Sequence, residues 1–331
     1  MSLKQQLQST ASIVDEFIIS VLDGKPKDLY LASSHYIKSG GKRLRPFLVI
    51  KSCELLGGNM EKALPVAAAI EMIHNFTLVH DDIMDNDEVR HDVPTVHKYY
   101  GLPLAILAGD ILFMKAFQSI TVFGAKAGLP DDVIVQLIAR LTKSCVDVSE
   151  GQALDVDMAS SSKFSSGPQY INMIGKKTAA LFETSCELGA LCAQTNKGDA
   201  DNMARFGRNL GIAFQLVDDL IGVAGDPKIT KKPVGNDIRE GKKTLPILLA
   251  IKKAKGEDKD KILGVFGTKN ATDSELKEAV GILVSVGVDR EVRHMARFYA
   301  TKAIDTIKTY RDSKAKRALQ SLANFVVERT L

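Results

Sequence analysis

Residues 76–85 read FTLVHDDIMD and residues 214–222 read FQLVDDLIG, two apolar runs that each end in adjacent aspartates. On a helix, Asp81 and Asp85 stand four apart on one face, with Cβ atoms about 5–6 Å apart. Two like charges so placed repel, and a helix that needed only solubility would pair Asp with Lys. The arrangement becomes favourable when a divalent cation fills the gap. A few hard oxygen ligands, with room left for water and phosphate oxygens, describe Mg²⁺ rather than Zn²⁺. Taken alone, the first motif also reads as a solvated acidic helix end. The second motif weighs against that reading. Gln215, Asp218, Asp219 and Gly222 fall at i, i+3, i+4 and i+7, one face of an otherwise apolar helix, where carboxylates are costly without a partner. The echo suggests two facing helices that present carboxylates to one cavity and share a polynuclear Mg²⁺ centre for an oligophosphate.

The same helical period extends outward from these motifs. Apolar residues recur at three and four over 31–56, 63–83, 102–123, 132–158, 166–192, 200–223, 244–253 and 274–286, with a last helical stretch near 290–327. Gly and Pro fall mostly between these segments, so the chain is expected to be all-α. Asp131 reads as an N-cap, the Ser-rich run 160–169 as a loop feeding the next helix, and TDSE at 272–275 as a capping box. The stretch 225–243, GDPKITKKPVGNDIREGKK, lacks apolar periodicity and clusters Lys228, Lys231, Lys232, Arg239, Lys242 and Lys243. It reads as a functional loop that closes over an anion, with a solvated linker as the alternative.

Composition sets limits. Of 331 residues, 44 are Lys or Arg and 40 are Asp or Glu, a formal net charge of +4, too small to indicate a nucleic-acid-coating protein. Four scattered cysteines with no C-x-x-C pair fit reduced thiols in the cytoplasm. The N-terminal segment lacks the apolar core of a secretory signal. The apolar stretch 102–113 is interrupted by Gly109 and Asp110, short of the ~20 clean residues of a membrane span, so no transmembrane segment is expected.

Cations complement the aspartates. GGKRLRP at 40–46 places Lys42 and Arg45 three apart at a helix opening, a point charge and a planar fork that both suit diphosphate. Lys177 and Thr178 in GKKTAALF, and Lys232 and Lys242 in the long loop, add candidate diphosphate ligands. His74, seven residues before Asp81, shares the carboxylate face and reads equally as a ligand or a core histidine.

The ordered set GGKRLRP, EMIHNFTLVHDDIMD, GKKTAALF, FQLVDDLIG and KPVGNDIREGKKTLP resembles the trans-type isoprenyl (polyprenyl) diphosphate synthases over nearly the whole chain, most of all those of archaeal geranylgeranyl type. The resemblance implies one synthase domain over residues 1–331, a single large helical bundle around a deep central cavity (the isoprenoid synthase type I fold), and a homodimer. It implies isopentenyl diphosphate and an allylic diphosphate as substrates, joined head to tail after Mg²⁺-dependent ionisation with two to three ions. By motif position, Lys42, Arg45 and His74 would bind isopentenyl diphosphate; Arg90, Lys177, Thr178, Gln215, Lys232 and Lys242 would hold the allylic diphosphate. Asp81, Asp85 and Asp218 would ligate Mg²⁺, with Asp82 and Asp219 supporting.

The resemblance also implies that product length is set by the residues before the first aspartates. Each isoprene unit buries five carbons, roughly 4 kcal/mol at ~0.8 per buried carbon, so the product grows until a side chain blocks it. The resemblance makes Ile73, Phe76 and Thr77 the floor and C20 geranylgeranyl diphosphate the expected product; C15 and C25 or longer are the alternatives. The chain departs from the family pattern at two places. His91 stands where the family usually has Arg, which predicts weaker or pH-dependent isopentenyl diphosphate binding. The second cluster ends in Gly222 rather than Asp, with Asp226 as a partial substitute. These departures leave open a non-catalytic partner subunit of a prenyl synthase; a class I terpene cyclase would lack FQLVDDLIG and have no need of GGKRLRP.

Overall fold

The computed structural model describes residues 1–90, 92–225 and 234–328. The chain is all-α, as its periodicity predicts. In order, the helices are α1 (Leu3–Val21), α2 (Lys27–Ser33), α3 (His35–Lys38), α4 (Leu44–Leu55), α5 (Met60–Met84), α6 (Val96–Tyr100), α7 (Leu102–Gln118), α8 (Asp131–Ser160), α9 (Gly167–Ile174), α10 (Ala180–Cys192) and α11 (Lys197–Ala224). They continue with α12 (Asn236–Arg239), α13 (Leu245–Lys253), α14 (Gly256–Val265), α15 (Asp273–Ser285), α16 (Val288–Thr306) and α17 (Lys314–Glu328). Two-residue strands β1 (Val89–Arg90) and β2 (Val93–Pro94) pair antiparallel between α5 and α6.

The residues group into two compact units. Unit 1 comprises Met1–Cys145, Leu181–Gly207 and Thr309–Leu319. Its centre is α5, which packs on α1, α4 and α7 and buries Val66, Ala67, Ala68, Ala69, Ile70, Met72 and Ile73. That many consecutive buried residues leave no polar stripe, the pattern of a helix surrounded by others. Unit 2 comprises Val146–Ala180, Arg208–Lys308 and Gln320–Leu331. Its core joins Ile174, Leu216, Leu220, Ile247, Leu276, Val288 and Val292.

Several expected elements are subdivided, for local reasons. The segment 31–56 breaks because Gly40 (φ 87°), Gly41 (φ 158°) and Arg43 (φ 47°) turn the chain before α4. The segment 290–327 divides at the irregular residues 307–313, and 166–192 is interrupted by a π-helical turn at Gly175–Ala179. Helix α8 begins at Asp131 itself rather than after it. Ser166 and Thr272 form capping boxes with Gln169 and Glu275, the second one legible as TDSE. The long loop contains α12, and its residues 226–233 lie outside the described ones. Helix α7 runs on through a π-helical turn at Ser119–Gly124. Gly109 and Asp110 do not interrupt it, so Leu102–Gly124 is a helix of 23 residues, long and apolar enough by length and composition to cross a membrane, with 33% of its most apolar window buried.

Candidate active site

In unit 1, the Asn59 side chain accepts from Lys62 N at 3.0 Å and opens α5. The helix ends at the aspartates, and Asp85 N donates to Asp81 O at 2.8 Å. Asp81 is half-buried and Asp85 exposed, whereas Asp82 is fully buried and turned into the protein. There the buried phenol of Tyr36 donates to Asp82 Oδ2, and Arg90, on β1, places Nε 2.6 Å and Nη2 2.5 Å from Asp82 Oδ1. Burial, reinforced by the bond to Asp82, pushes the Tyr36 phenol well above its ordinary pKa. The same guanidinium lies 3.9 Å from Asp81 Oδ2 and 4.0 Å from Asp87 Oδ2. Arg90, expected on a diphosphate, is thus fastened by Asp82 beside Asp81. His91 lies outside the described residues.

The glycine-led basic motif sorts its three cations differently from a simple patch. Lys42 is exposed ahead of α4, and Arg45 lies in the first turn of α4, 4.5 Å over the Phe182 ring, so the two are not neighbours on one helical face. Arg43 between them is buried in the left-handed conformation. It donates to Asp15 Oδ1 (2.6 Å), Glu71 Oε1 (3.1 Å) and Ile37 O (2.7 Å). Burial raises the Glu71 carboxyl above its ordinary range, against the pull of Arg43 and Arg45. His74, one turn on from Glu71, is half-buried.

Below the aspartates on α5, Ile73 is buried, and Thr77 Oγ1 donates to His74 O at 2.7 Å. Phe76 packs edge-on to His80 (4.7 Å) and to Phe113 of α7 (5.2 Å), and Phe113 meets Phe117 at 5.0 Å. Of these ring partners, His80 lies one turn on along α5 itself, whereas Phe113 is on α7, so sequence spacing could not bring it to Phe76.

In unit 2, the π-helical turn carries Lys177 and Thr178. Lys177 Nζ pairs with Asp155 Oδ2 of α8 at 2.6 Å. Thr178 Oγ1 donates to Gln215 Oε1 at 2.8 Å, and Gln215 Nε2 donates to Asp219 Oδ1 at 2.8 Å. Asp219 is 6% exposed, and its Oδ2 has no hydrogen-bond partner among the described residues. Burial raises its carboxyl well above the ordinary range, and Asp237 and Asp155 push it further. Asp218, the neighbouring residue, is exposed. Lys242 Nζ sits 2.6 Å from Glu240 and 3.9 Å from Asp237.

Two cations expected to close over an anion are structural instead. Arg239 pairs with Asp273 at 2.7 Å, and Lys243 donates to Met158 O (2.8 Å) and to Ser161 O, fastening its loop to the C-terminal end of α8, where a cation complements exposed carbonyls. Lys232 and Asp226 lie outside the described residues. Sequence reasoning passed over Tyr36, Arg43, Glu71, Asp155 and Asp237; of these Arg43, Glu71 and Asp237 stood inside quoted motifs, where other residues drew the reading.

Among the described residues no three His, Cys, Asp or Glu side chains converge to hold a metal ion alone. A divalent oxygen-seeking ion that keeps several waters and takes phosphate oxygens does not require such a cage. The partnerless buried Oδ2 of Asp219 fits that kind of ion, since a buried carboxylate oxygen without a donor calls for a cation.

Adjacent aspartates at two helix positions, with Lys, Arg, Thr and Gln around them on an all-α scaffold, define a metal-assisted diphosphate enzyme. The chain belongs to the polyprenyl synthetase family, whose model matches residues 26–283 and so runs through both units. It is 43% identical over 318 residues to a geranylgeranyl diphosphate synthase of Sulfolobus acidocaldarius, covering 96% of this chain and 95% of that one; other relatives are named geranylfarnesyl diphosphate synthases. The geranylgeranyl pyrophosphate synthetase structure from Pyrococcus horikoshii superposes with a TM-score of 0.92 at 39% identity, over 99% of this chain and 98% of that one. The Corynebacterium glutamicum geranylgeranyl pyrophosphate synthase, solved with isoprenyl diphosphate and magnesium, has a TM-score of 0.86 at 26% identity over 99% and 100% of the two chains.

Proposed function

We propose that the chain is a divalent-metal-dependent prenyltransferase that joins isopentenyl diphosphate to an allylic diphosphate and releases C20 geranylgeranyl diphosphate. One observation carries the reading. Each aspartate pair is built alike, with a buried inner carboxylate held by the protein (Asp82 by Tyr36 and Arg90, Asp219 by Gln215) beside less buried ones (half-buried Asp81 with exposed Asp85, and exposed Asp218). A held inner residue fixes its helix end and so positions the less buried carboxylate beside it for a ligand.

In this reading, Asp81, Asp85 and Asp218 hold two to three Mg²⁺ ions, with Asp82 and Asp219 supporting. Divalent ions held there would supply positive charge against the diphosphate that leaves the allylic carbon. Arg90, Lys177, Thr178, Gln215, Lys232 and Lys242 bind the same group and stabilise the departing anion. Lys42, Arg45 and His74 bind the diphosphate of isopentenyl diphosphate and orient its double bond, whose electrons form the new C–C bond. The released pyrophosphate takes the proton then lost. Ile73, Phe76 and Thr77 close the hydrocarbon path, and the Phe76–Phe113–Phe117 ladder supports Phe76 in that role.

The two units act as one synthase domain over residues 1–331. The chain works as a homodimer, for which the support is the apolar side chains that α7 leaves exposed, Leu102, Ile106, Leu107 and Met114. Its free cysteines suit the cytoplasm. The test is incubation with labelled isopentenyl diphosphate, Mg²⁺ and C5, C10 or C15 allylic diphosphates. Metal-dependent C20 product is expected. A C15 or C25 product would move the floor, and no condensation at all would leave only a non-catalytic subunit.

A further inference from the structure

Lys42 and Arg45 lie on either side of Arg43 in the sequence, and His74 follows Glu71 by three residues on α5. All three residues read as ligands of isopentenyl diphosphate are therefore attached, within a turn of chain, to one buried ion pair, because Arg43 Nη1 donates to Glu71 Oε1 at 3.1 Å. A third member reaches the pair from α1. Asp15 accepts from Arg43 Nε at 2.6 Å on Oδ1 and from Nη2 at 3.2 Å on Oδ2, a two-pronged contact that a guanidinium makes and an ammonium cannot. The same Nη2 donates to Ile37 O at 2.7 Å, and Asn75 Nδ2 donates to Glu71 Oε1 at 3.2 Å. Arg45 acts on the Glu71 carboxyl as well, as a second positive charge.

This clamp holds a backbone that would not keep its shape unaided. Arg43 is the N-cap of α4 at φ 47° and ψ 47°, a left-handed conformation that is unfavourable for a residue with a Cβ and persists where its surroundings over-determine it. Arg43 O accepts from Phe47 N at 3.0 Å, the bond that opens α4, so the setting of Arg43 decides where α4 begins and where Arg45, two residues on, stands. Gly41 leaves room for the fork, since a Cβ there would lie 2.7 Å from Arg43 Nη1. Ile37, Arg43, Glu71 and Asn75 all fall within the span 26–283 that the family model matches, whereas Asp15 precedes it. We infer that Asp15 is a positioning residue for isopentenyl diphosphate: from α1 it fixes the Arg43 fork, and through that fork the placement of Lys42 and Arg45. The inference rests on the reading of Lys42, Arg45 and His74 as the ligands of that substrate.

The experiment measures KM for isopentenyl diphosphate, KM for the allylic diphosphate and kcat in the full chain, beside thermal melting. Asp15→Asn keeps the shape of the side chain, removes its charge and turns an amide N–H toward a guanidinium N–H. It should raise KM for isopentenyl diphosphate by about 3- to 30-fold, the range over which a residue that touches no ligand modulates binding, and leave kcat and the allylic KM unchanged. Arg43→Lys, which keeps the charge without the fork, should move the same constant and no other, so that the clamp is tested from both sides. Arg45→Met is the control for the substrate reading and should raise KM for isopentenyl diphosphate by removing a ligand. A wild-type value in either Asp15→Asn or Arg43→Lys, with a raised one in Arg45→Met, overturns the inference and leaves the substrate reading standing. Wild-type values in all three variants overturn both. A rise of the two KM values in step, or a lower melting temperature with neither KM changed, shows that Asp15 serves the fold alone, and also overturns the inference.

Discussion

Gly151→Ala tests whether Lys177 is placed by backbone contact. Helix α8 passes so close to the π-helical turn that a Cβ at residue 151 would lie 2.2 Å from Lys177 N, 2.6 Å from its Cα and 2.7 Å from Lys176 C. These are backbone atoms, so no side-chain rotation relieves the contact. Ordinary contact begins near 3.4 Å, and the turn must therefore retreat from α8 by about 1 Å, a misplacement that can cost on the order of 100-fold in rate when it reaches a catalytic group. Overpacking of this kind costs about 1–3 kcal/mol of stability. The control is Gly281→Ala, on α15 with nothing within 4 Å of the added Cβ, which should be neutral or stabilise by about 0.4–1 kcal/mol. The assay is kcat/KM for the allylic diphosphate beside thermal melting for both variants. Wild-type kcat/KM in Gly151→Ala would refute the placement of Lys177 by α8, whatever the melting temperature does.

Phe76→Ala removes the end of the Phe76–Phe113–Phe117 ladder and should shift product from C20 toward longer chains, each further unit gaining roughly 4 kcal/mol from burial; chromatography of labelled products with the same length distribution as wild type would sink the floor assignment. Arg43→Met leaves Glu71 buried without its nearest cation and should cost about 3–5 kcal/mol, read by urea unfolding. Because the Glu71 carboxyl is raised in the folded state, the folded protein binds the extra proton. The variant should thus be most stable below the ordinary carboxylate range and lose stability as pH rises through the raised value; a stability that instead increases with pH would contradict this. Tyr36→Phe removes a donor from the buried Asp82 carboxylate and should cost about 1.5–3 kcal/mol, with a higher KM for the allylic diphosphate as Arg90 loosens. An unchanged KM would mean that Asp82 holds Arg90 without Tyr36.

The helices and both aspartate pairs were legible because period and charge spacing are local properties of a chain. What stayed hidden depends on direction. In GGKRLRP nothing in composition separates Arg43 from Lys42 and Arg45, yet its left-handed φ of 47° sends it inward to Asp15 and Glu71. Tyr36 reaches Asp82 across 46 residues of sequence, a distance over which no periodicity speaks. Asp237 lay in a stretch dominated by lysines, where the cations drew the reading toward anion binding. The same stretch shows how charge alone misleads, since Arg239 and Lys243 are held by Asp273 and by helix carbonyls. The membrane expectation for 102–113 treated Gly109 as a break. In the structure that glycine instead admits His80, since a Cβ there would lie 2.2 Å from its Nε2.

The π-helical turn at Gly175–Ala179 also fixes a phase between the helices it joins. Such a turn holds one residue more than the α-helix it interrupts, so every side chain after it is advanced by about 100° around the axis relative to an unbroken helix. Deleting a single residue here would regularise the hydrogen bonding and still be ruinous, because Phe182 and Cys186, both fully buried, would rotate out of their core while Lys177 and Thr178 lost their bearing on Asp155 and Gln215. In this segment insertions and deletions are far more damaging than substitutions, and the length of the chain between Gly167 and Cys192 is itself a functional quantity.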